Sequence, residues 1–526
     1  MSNKKQGFLT AIACLSLLLM PFCTWAQKSV SDLSKAGIIP KPVSVVPSGG
    51  YFILKPGTAI IIRENSGELK QISKYLSGRL TSSTGYGIDV KVSAAKPKPG
   101  NIVLVTDAAR TELGGEGYEL VISKKTIVLT AAKPAGIFHG IQTIRQLLPP
   151  KIESTSKQEG PWEIPTGKIT DYPDYSYRGV MIDVSRHFFG VEDIKRVMEF
   201  LAYFKMNILH LHLSDDQGWR IEIKSWPNLA LHGGSSQVGG EKGGYFTQEQ
   251  YSELVEYGQE RYITIVPEID MPGHTNAALA SYAELNCDGK ARELYTGTQV
   301  GFSTLCTRNE VTYKFIDDVV RELASITPGP YIHIGGDESN ATKKEDYIPF
   351  MNRVQDIVKS HGKTAIGWDE IAISEMRPGT IAQNWSSPEN AALAVKQGAK
   401  ILMSPAARAY LDMKYTKETK LGLRWAGLIE VDKGYDWDPA TLFKEVGKGN
   451  ISGIEAALWT ETITNMEDME YMIFPRLPGY AEIGWTPASM RKWDEYKERI
   501  TGFADRFQVM EINYYKSPLI PWPAVK

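Results

Sequence analysis

The sequence predicts an α/β fold, a (β/α)8 TIM barrel preceded by a small α+β domain, on three observations. First, short apolar strands alternate with amphipathic helices from Tyr177 onward, over about 300 residues, which suits such a barrel. Second, acidic residues and tryptophans follow the predicted strands, at the end where a barrel carries its functional groups. Third, no Gly-x-Gly-x-x-Gly turn follows the first of these strands, which argues against a doubly wound open sheet.

The chain divides into four predicted segments. Residues 1–26 form a signal peptide, 27–171 the N-terminal α+β domain, 172–500 the catalytic barrel, and 501–526 a C-terminal extension packed on the barrel. Within the α+β domain, alternating apolar residues and turn residues predict strands, and 3.6-residue periodicity predicts two helices. The strands are 51–54, 59–62, 101–105 and a hairpin at 118–129, and the helices are 68–80 and 136–148.

The barrel segment contains eight short apolar runs that predict its strands. They are residues 180–184, 208–213, 263–266, 331–334, 364–366, 380–382, 400–403 and 454–458. Amphipathic patterns predict helices at 191–206, 251–260 and 314–325 between them. The second of these helices follows Thr247-x-x-Gln250, a capping box that satisfies the first backbone N–H groups of a helix.

The N-terminal segment has the pattern of a secretory signal peptide. Lys4 and Lys5 precede an apolar run that ends at Thr24-Trp25-Ala26, where small residues favour cleavage. A transmembrane helix is the alternative, and a lipoprotein signal is disfavoured because Phe22 precedes Cys23. We therefore expect an exported protein, periplasmic or extracellular, without a membrane anchor.

Composition excludes some partners and limits the cysteine chemistry. The 59 basic and 61 acidic residues give a net charge of −2, so no concentrated basic surface for nucleic acid is expected. After loss of the signal peptide only Cys287 and Cys306 remain, which predicts either one disulfide or two free buried thiols. Their spacing is unlike that of a zinc site.

Carboxylates and tryptophans gather at the predicted strand ends, as in carbohydrate sites, where rings stack on sugar faces and carboxylates bind hydroxyls or move protons. The groups concerned are Asp215-Asp216, Glu268-x-Asp270, His274, Asp337-Glu338, Trp368-Asp-Glu370, Trp385 and Trp459-x-Glu461. The Gly335-Gly336 pair lets the backbone break, so that both Asp337 and Glu338 reach one pocket. The alternative is that Asp337 caps the next helix and Glu338 complements its dipole.

The histidines leave a second chemistry open. His210 and His212 lie on one face of a strand, a pattern found among metal ligands of barrel hydrolases, but they precede the strand end. His274 near a carboxylate could be a structural pair, a proton-relay partner or a ligand. His333 is interpreted as core. No metal site and no cofactor are predicted.

Six runs, in order along the barrel, resemble the family 20 glycoside hydrolases, the β-N-acetylhexosaminidases. They are residues 177–188, 210–220, 267–274, 333–338, 367–370 and 455–461. The preceding α+β domain resembles the small domain often found before that barrel. The resemblance implies substrate-assisted catalysis, in which the 2-acetamido oxygen of the substrate attacks the anomeric carbon and no protein nucleophile is used.

The resemblance also implies roles for the acid pair. Glu338 would be the general acid and base, which requires a raised pKa, and Asp337 would stay ionised and orient the acetamido N–H. Asp215 and His274 resemble the pair that supports the general acid. Tyr410 resembles the hydroxyl that holds the acetamido oxygen.

The remaining implied residues bind the sugar. Trp368, Trp385 and Trp459 would line the pocket, with Trp425 as a weaker candidate, although each tryptophan could instead be core. Arg178, Asp412 and Glu461 would bind hydroxyls of the terminal sugar. Arg178 precedes its strand, against the barrel rule, and is taken from the motif alone.

The predicted function is therefore an exo-acting, retaining β-N-acetylhexosaminidase that removes terminal β-linked GlcNAc or GalNAc from oligosaccharides or glycoconjugates. Three alternatives remain. A lacto-N-biosidase of the same family would release a disaccharide. A metal-dependent barrel hydrolase would use the histidines. A non-catalytic glycan-binding protein would keep only the aromatic wall.

Overall fold

The computed structural model describes residues 32–524, which form a seven-stranded sheet followed by a closed barrel. The predicted signal peptide, with Cys14 and Cys23, lies outside these residues. Among residues 32–524, no helix combines the length and the apolar character needed to cross a membrane.

The N-terminal sheet mixes parallel and antiparallel pairs in the order β1-β7-β5-β6-β4-β2-β3. Its strands are β1 (Ser44–Ile53), β2 (Ala59–Ile62), β3 (Asp89–Val92), β4 (Ile102–Thr106), β5 (Tyr118–Ile122), β6 (Ile127–Ala131) and β7 (Glu163–Asp171). Helices α1 (Gly67–Thr84) and α2 (Pro134–Leu147) pack on it. α2 is buried almost throughout because it lies between this sheet and the first helix of the barrel.

The barrel consists of eight parallel strands that close in the order β12-β13-β14-β15-β16-β17-β8-β9. They are β8 (Tyr177–Asp183), β9 (Ile208–His212), β12 (Thr264–Glu268), β13 (Tyr331–His333), β14 (Thr364–Trp368), β15 (Ile381–Asn384), β16 (Lys400–Met403) and β17 (Ile451–Leu458). A two-stranded hairpin, β10 (Ser214–Asp215) and β11 (Gly218–Trp219), follows β9. The predicted fold class is confirmed.

Helices connect most of these strands and cover the outside of the barrel. They are α3 (Val191–Tyr203), α4 (Asn228–Leu231), α5 (Gln248–Gln259), α6 (Asn276–Ser281), α7 (Glu310–Ile326), α8 (Lys344–Ser360), α9 (Pro388–Lys396), α10 (Ala406–Ala409), α11 (Val431–Tyr435), α12 (Met466–Ile473), α13 (Arg476–Trp485), α14 (Trp493–Thr501) and α15 (Ala504–Val509). The side chains of Thr247 and Gln250 form the capping box before α5.

Buried ion pairs join the sheet to the amino-terminal end of the barrel. Arg178, at the start of β8, donates to both carboxylate oxygens of Glu116, at 3.0 and 2.7 Å. Lys205 donates to Asp171 at 3.0 Å, and both side chains are fully buried. These pairs leave the carboxyl ends of the strands, on the other side of the barrel, as the open face.

Candidate active site

The acid pair follows a break in the backbone directly after β13. Gly335 and Gly336 have φ values of +63° and +107°, and Glu338 has +43°, so the chain turns sharply at the mouth. α8 begins only at Lys344, with Lys343 as its N-cap, so Asp337 does not cap a helix. The Asp337 side chain is 9% exposed and that of Glu338 is 35% exposed. The two acids therefore occupy different environments in one pocket.

Glu338 lies at the end of a chain of charged side chains. His274 Nε2 is 3.5 Å from Glu338 Oε2, and His274 Nδ1 is 3.2 Å from Asp215 Oδ1. Arg186 and His212 contact the other oxygen of Asp215 at 2.8 and 2.9 Å. This arrangement can hold a protonated imidazole beside the carboxyl group of Glu338.

The charges along this chain set the pKa values. Burial lowers the pKa of His274, but the adjacent Asp215 and Asp337 outweigh it and raise that pKa well above its usual value. Burial raises the pKa of Asp215, but Arg186 and His274 outweigh it and hold that pKa well below normal. The Asp215–His274 pair is therefore ionised at neutral pH.

Asp337 differs from the sequence-based expectation of an ionised group. Burial and the neighbouring Asp270 raise the pKa of Asp337 well above its usual value, although His274 opposes them. Asp337 Oδ1 has no hydrogen-bond partner among the described residues. The raised pKa follows from burial and from the acidic groups around Asp337.

Aromatic rings line one wall of the pocket. Trp385 and Tyr410 are stacked, with ring centroids 6.4 Å apart and an interplanar angle of 13°, and Trp425 lies edge-on to both. Trp425 is 57% exposed, so it lies at the rim, whereas Trp368 is fully buried below Trp459. The four tryptophans predicted from the sequence thus form a wall from the rim to the floor.

Two further carboxyls have oxygens without a partner. Both oxygens of Asp412 and Oε2 of Glu461 make no hydrogen bond within residues 32–524, although Asp412 is 1% exposed. Burial and the adjacent Glu461 raise the pKa of Asp412, and burial raises that of Glu461. Buried acceptors without donors are costly, so this arrangement fits a ligand that supplies hydroxyl groups.

Arg178 is not part of this site, and that prediction is wrong. Its guanidinium is fully buried at the amino-terminal end of the barrel, where Glu116 and the carbonyl oxygens of Tyr175 and Lys205 accept its hydrogen bonds. Arg186 lies at the mouth instead, over the ring of Trp459 at 4.8 Å. The sequence analysis missed Arg186, although it follows β8 in the same motif, at the end where the barrel rule places functional groups.

Two more acids position Trp385, and the sequence interpretation gave them no role. One oxygen of Asp369 accepts hydrogen bonds from the backbone N–H groups of Trp385, Ser386 and Ser387, at 3.1, 3.1 and 3.0 Å. Glu370 accepts the indole N–H of Trp385 at 3.0 Å. The pattern Trp368-Asp-Glu at the end of β14 was the available signal for both.

The strand histidines surround one buried carboxylate. His212 Nδ1, His210 Nε2 and His333 Nδ1 lie 2.5, 3.0 and 2.9 Å from Glu268, which also accepts the indole N–H of Trp368 at 2.8 Å. These atoms are close enough together for a metal ion, and His210 Nε2 makes no hydrogen bond among residues 32–524 although it lies at ion-pair distance from Glu268. Glu268 thus connects the floor of the aromatic wall to His212 and Asp215.

Cys287 and Cys306 form a disulfide with an S–S distance of 2.12 Å. The loop between these two cysteines contains Ser303, which lies close to His274 and the charged side chains that end at Glu338. The Ser303 hydroxyl accepts the backbone N–H of Thr275 at 2.9 Å and donates to Asp216 at 2.5 Å. The loop is therefore fixed next to His274.

Comparisons with known proteins agree with this geometry. Residues 175–488 match the model of the glycosyl hydrolase family 20 catalytic domain, and residues 35–172 match domain 2 of the same family. The chain belongs to glycosyl hydrolase family 20. The predictions of this family, of a glycoside hydrolase and of β-N-acetylhexosaminidase activity are therefore confirmed.

Individual relatives of this family 20 chain are similar over nearly their full length. A β-N-acetylhexosaminidase of Cellulomonas fimi is 37% identical over 92% of this chain and 97% of its own. The structure of a β-N-acetylhexosaminidase from Streptomyces coelicolor A3(2) superposes with a TM-score of 0.90 at 49% identity, covering 93% of this chain and 99% of that one. A mutant β-hexosaminidase of Streptomyces plicatus in complex with product GlcNAc has the same TM-score and identity, covering 93% and 98%.

Proposed function

We propose that this enzyme removes single terminal β-linked GlcNAc or GalNAc residues from oligosaccharides or glycoconjugates, with retention of configuration. The main support for this proposal is the difference in exposure between the two acids. Glu338 is partly exposed beside a charged His274, whereas Asp337 is buried. A general acid needs access to the leaving oxygen, whereas a group that orients the acetamido must lie inside the pocket.

The proposed reaction has two steps. The acetamido carbonyl oxygen attacks the anomeric carbon while Glu338 protonates the departing glycosidic oxygen. Asp337 accepts the acetamido N–H and offsets the positive charge of the ring that forms, and the Tyr410 hydroxyl holds the acetamido oxygen. Glu338 then takes a proton from water, which opens that ring from the opposite face.

The Asp215–His274 pair explains how Glu338 can perform both steps. His274 keeps a positive charge next to Glu338 because Asp215 balances it. That charge stabilises the carboxylate formed after proton donation, so Glu338 can act as acid and then as base.

Arg186, Asp412 and Glu461 are proposed to bind the hydroxyls of the sugar. Their unpaired polar atoms face a pocket that needs donors and acceptors, which a terminal sugar supplies. Binding of every free hydroxyl favours release of a single sugar. The lacto-N-biosidase alternative requires release of a disaccharide instead. Export to the periplasm or the outside is also proposed, from the N-terminal sequence alone.

The test is hydrolysis of 4-nitrophenyl β-GlcNAc and β-GalNAc by the wild type, Glu338→Gln and Asp337→Asn, each with and without EDTA. We expect release that EDTA does not affect and that falls by about 10²–10⁴-fold in each variant. No release from either sugar would contradict removal of single sugars and direct the search to disaccharide substrates. Loss with EDTA would favour the metal hydrolase, and full activity in both variants would contradict the assigned roles.

A further inference from the structure

Two buried carboxyl groups lie together below the proposed acetamido site, and the roles above use only one of them. Asp270 follows β12 and Asp337 follows β13, and polar atoms of Asp270, His274 and Asp337 lie within 4.8 Å of one another. Asp270 is 1% exposed and Asp337 is 6% exposed. Two carboxylates this close in a buried site cannot both carry a charge at low cost.

The free atoms of this cluster leave room for a proton. Asp270 Oδ1 accepts the backbone N–H of Gly336 at 3.0 Å, which anchors that oxygen. Asp270 Oδ2, Asp337 Oδ1 and His274 Nε2 have no hydrogen-bond partner among residues 32–524. A proton on Asp270 Oδ2 would supply the missing donor for Asp337.

The backbone before Asp337 is shaped to let the Asp270 side chain come close. Gly335 has a left-handed conformation, and a Cβ atom there would lie 1.7 Å from Asp270 Oδ1. Any other residue at this position would displace the Asp270 side chain. The glycine pair before Asp337 therefore serves the approach of Asp270 as well as the turn.

The surroundings favour one proton on the pair. The titratable groups that face Asp337 are Asp270, His274, Glu338, Glu268, Glu370, Tyr347 and Tyr410, and those that face Asp270 are Asp337, His274, Glu268, His212, Asp215 and Tyr347. Burial, together with the acidic members of these sets, raises the pKa of both carboxyls, that of Asp270 to about 7. The His274 cation opposes this rise.

We propose that Asp270 and Asp337 share one proton, which rests on Asp270 when the substrate binds, so that Asp337 is then ionised and accepts the acetamido N–H of the substrate. The proposal rests on the function proposed above. The proton remains within the pair during the reaction, and Asp270 neither forms nor breaks a bond to the substrate. Asp270 is therefore a positioning residue that acts through Asp337.

Two variants of Asp270 separate this role from a purely structural one. Asp270→Asn keeps an acceptor for Gly336 and a neutral donor for Asp337, so kcat/KM at the optimum should stay within about tenfold of the wild type. Asp270→Ala removes the donor. The pKa of Asp337 should then rise, and the acidic limb of the kcat/KM profile should move to higher pH by about one to two units.

Either of two outcomes would overturn the proposal. If Asp270→Asn is impaired as strongly as Asp270→Ala, with the same pH profile, Asp270 works as an ionised group. If both variants keep the wild-type profile, Asp270 is not coupled to Asp337. Far-ultraviolet circular dichroism and thermal unfolding check that both variants are folded.

An infrared measurement tests the proton without turnover. The difference spectrum between wild type and Asp270→Asn at about pH 6, below the pKa of Asp270, should contain the carbonyl band of one protonated carboxyl group. Absence of that band would contradict the proposal even if the protein hydrolyses the test sugars. Its presence in a protein that releases no sugar would place the failure in the proposed function instead.

Discussion

The two ends of the barrel differ in how completely their buried charges are paired. At the amino-terminal end, Arg178 pairs with Glu116 and Lys205 pairs with Asp171, so each buried charge has a partner. At the mouth, Arg186 and His274 pair with Asp215, but Asp412 and Glu461 keep carboxylate oxygens without donors among residues 32–524. Paired buried charges join the sheet to the barrel, whereas unpaired ones cost free energy until a ligand binds. The comparison therefore separates residues that stabilise the fold from residues that bind and react.

The largest effect is expected at Glu338. Glu338→Gln should lower kcat/KM for 4-nitrophenyl β-GlcNAc by about 10²–10⁴-fold, because general acid and base catalysis are lost. The urea midpoint should change little, since the side chain has only a long contact with His274. A large loss of stability in this variant would contradict the separation between the two ends.

Arg178→Met tests the closed end and should give the reverse result. Removing one partner of this pair should lower the free energy of unfolding by about 3 kcal/mol, because Glu116 loses its two hydrogen bonds from the Arg178 guanidinium. Urea unfolding measures this loss. The matched change Arg186→Met at the mouth should lower kcat/KM, and it should also lower stability because Asp215 loses a partner. If Arg178→Met lowers kcat/KM as strongly as Arg186→Met while the protein stays folded, Arg178 does belong to the sugar site.

Glu461→Gln should weaken substrate binding. The amide keeps the shape of the side chain but loses a charged acceptor for a sugar hydroxyl, so KM should rise by about 10-fold to 100-fold. The Michaelis constant for 4-nitrophenyl β-GlcNAc is the measurement, with Glu467→Gln on the outside of α12 as the matched control. An unchanged KM would remove Glu461 from the sugar site.

The smallest effect is in the pH dependence of stability. Arg178 and His139 outweigh burial and hold the pKa of Glu116 below its unfolded value, so its stabilisation is present above about pH 4.3 and is lost as the pH falls below it. The pKa of Asp412 is raised, so this carboxyl has the opposite effect on stability: it binds a proton more tightly in the folded protein and destabilises the fold when it is ionised. Asp412→Asn should therefore gain about 1 kcal/mol at pH 7 and nothing near pH 3, measured by urea unfolding. A loss of stability at pH 7 would show that Asp412 is paired in solution.

The fold and most residues at the mouth could be predicted from the sequence, because the carboxyl ends of the strands in a parallel barrel all lie on one side. The alternation of strands and helices predicted the eight strands, and motifs at their ends predicted Glu338, Trp368, Trp385 and Trp459. Tyr410 and Trp425 were predicted only from the family resemblance. The structure brings these side chains together. What each residue does in catalysis stays a prediction.

What the sequence did not predict has a physical cause in contacts between distant segments. Arg178 was misplaced because a motif does not reveal that Glu116, 62 positions earlier, supplies its partner. The raised pKa of Asp337 depends on Asp270, 67 residues away and across two strands, and on burial that no local pattern reports. Pairing and desolvation are properties of the folded barrel.

The most direct test of substrate-assisted catalysis changes the nucleophile itself. A series of 4-nitrophenyl β-glucosaminides that carry N-acetyl, N-fluoroacetyl, N-difluoroacetyl and N-trifluoroacetyl groups makes the carbonyl oxygen progressively less nucleophilic. If that oxygen attacks the anomeric carbon, log kcat/KM should fall steeply and continuously along the series, while Asp337→Asn lowers the rate most for the N-acetyl substrate. Rates that stay nearly constant along the series would contradict the account, because they would require a nucleophile supplied by the protein.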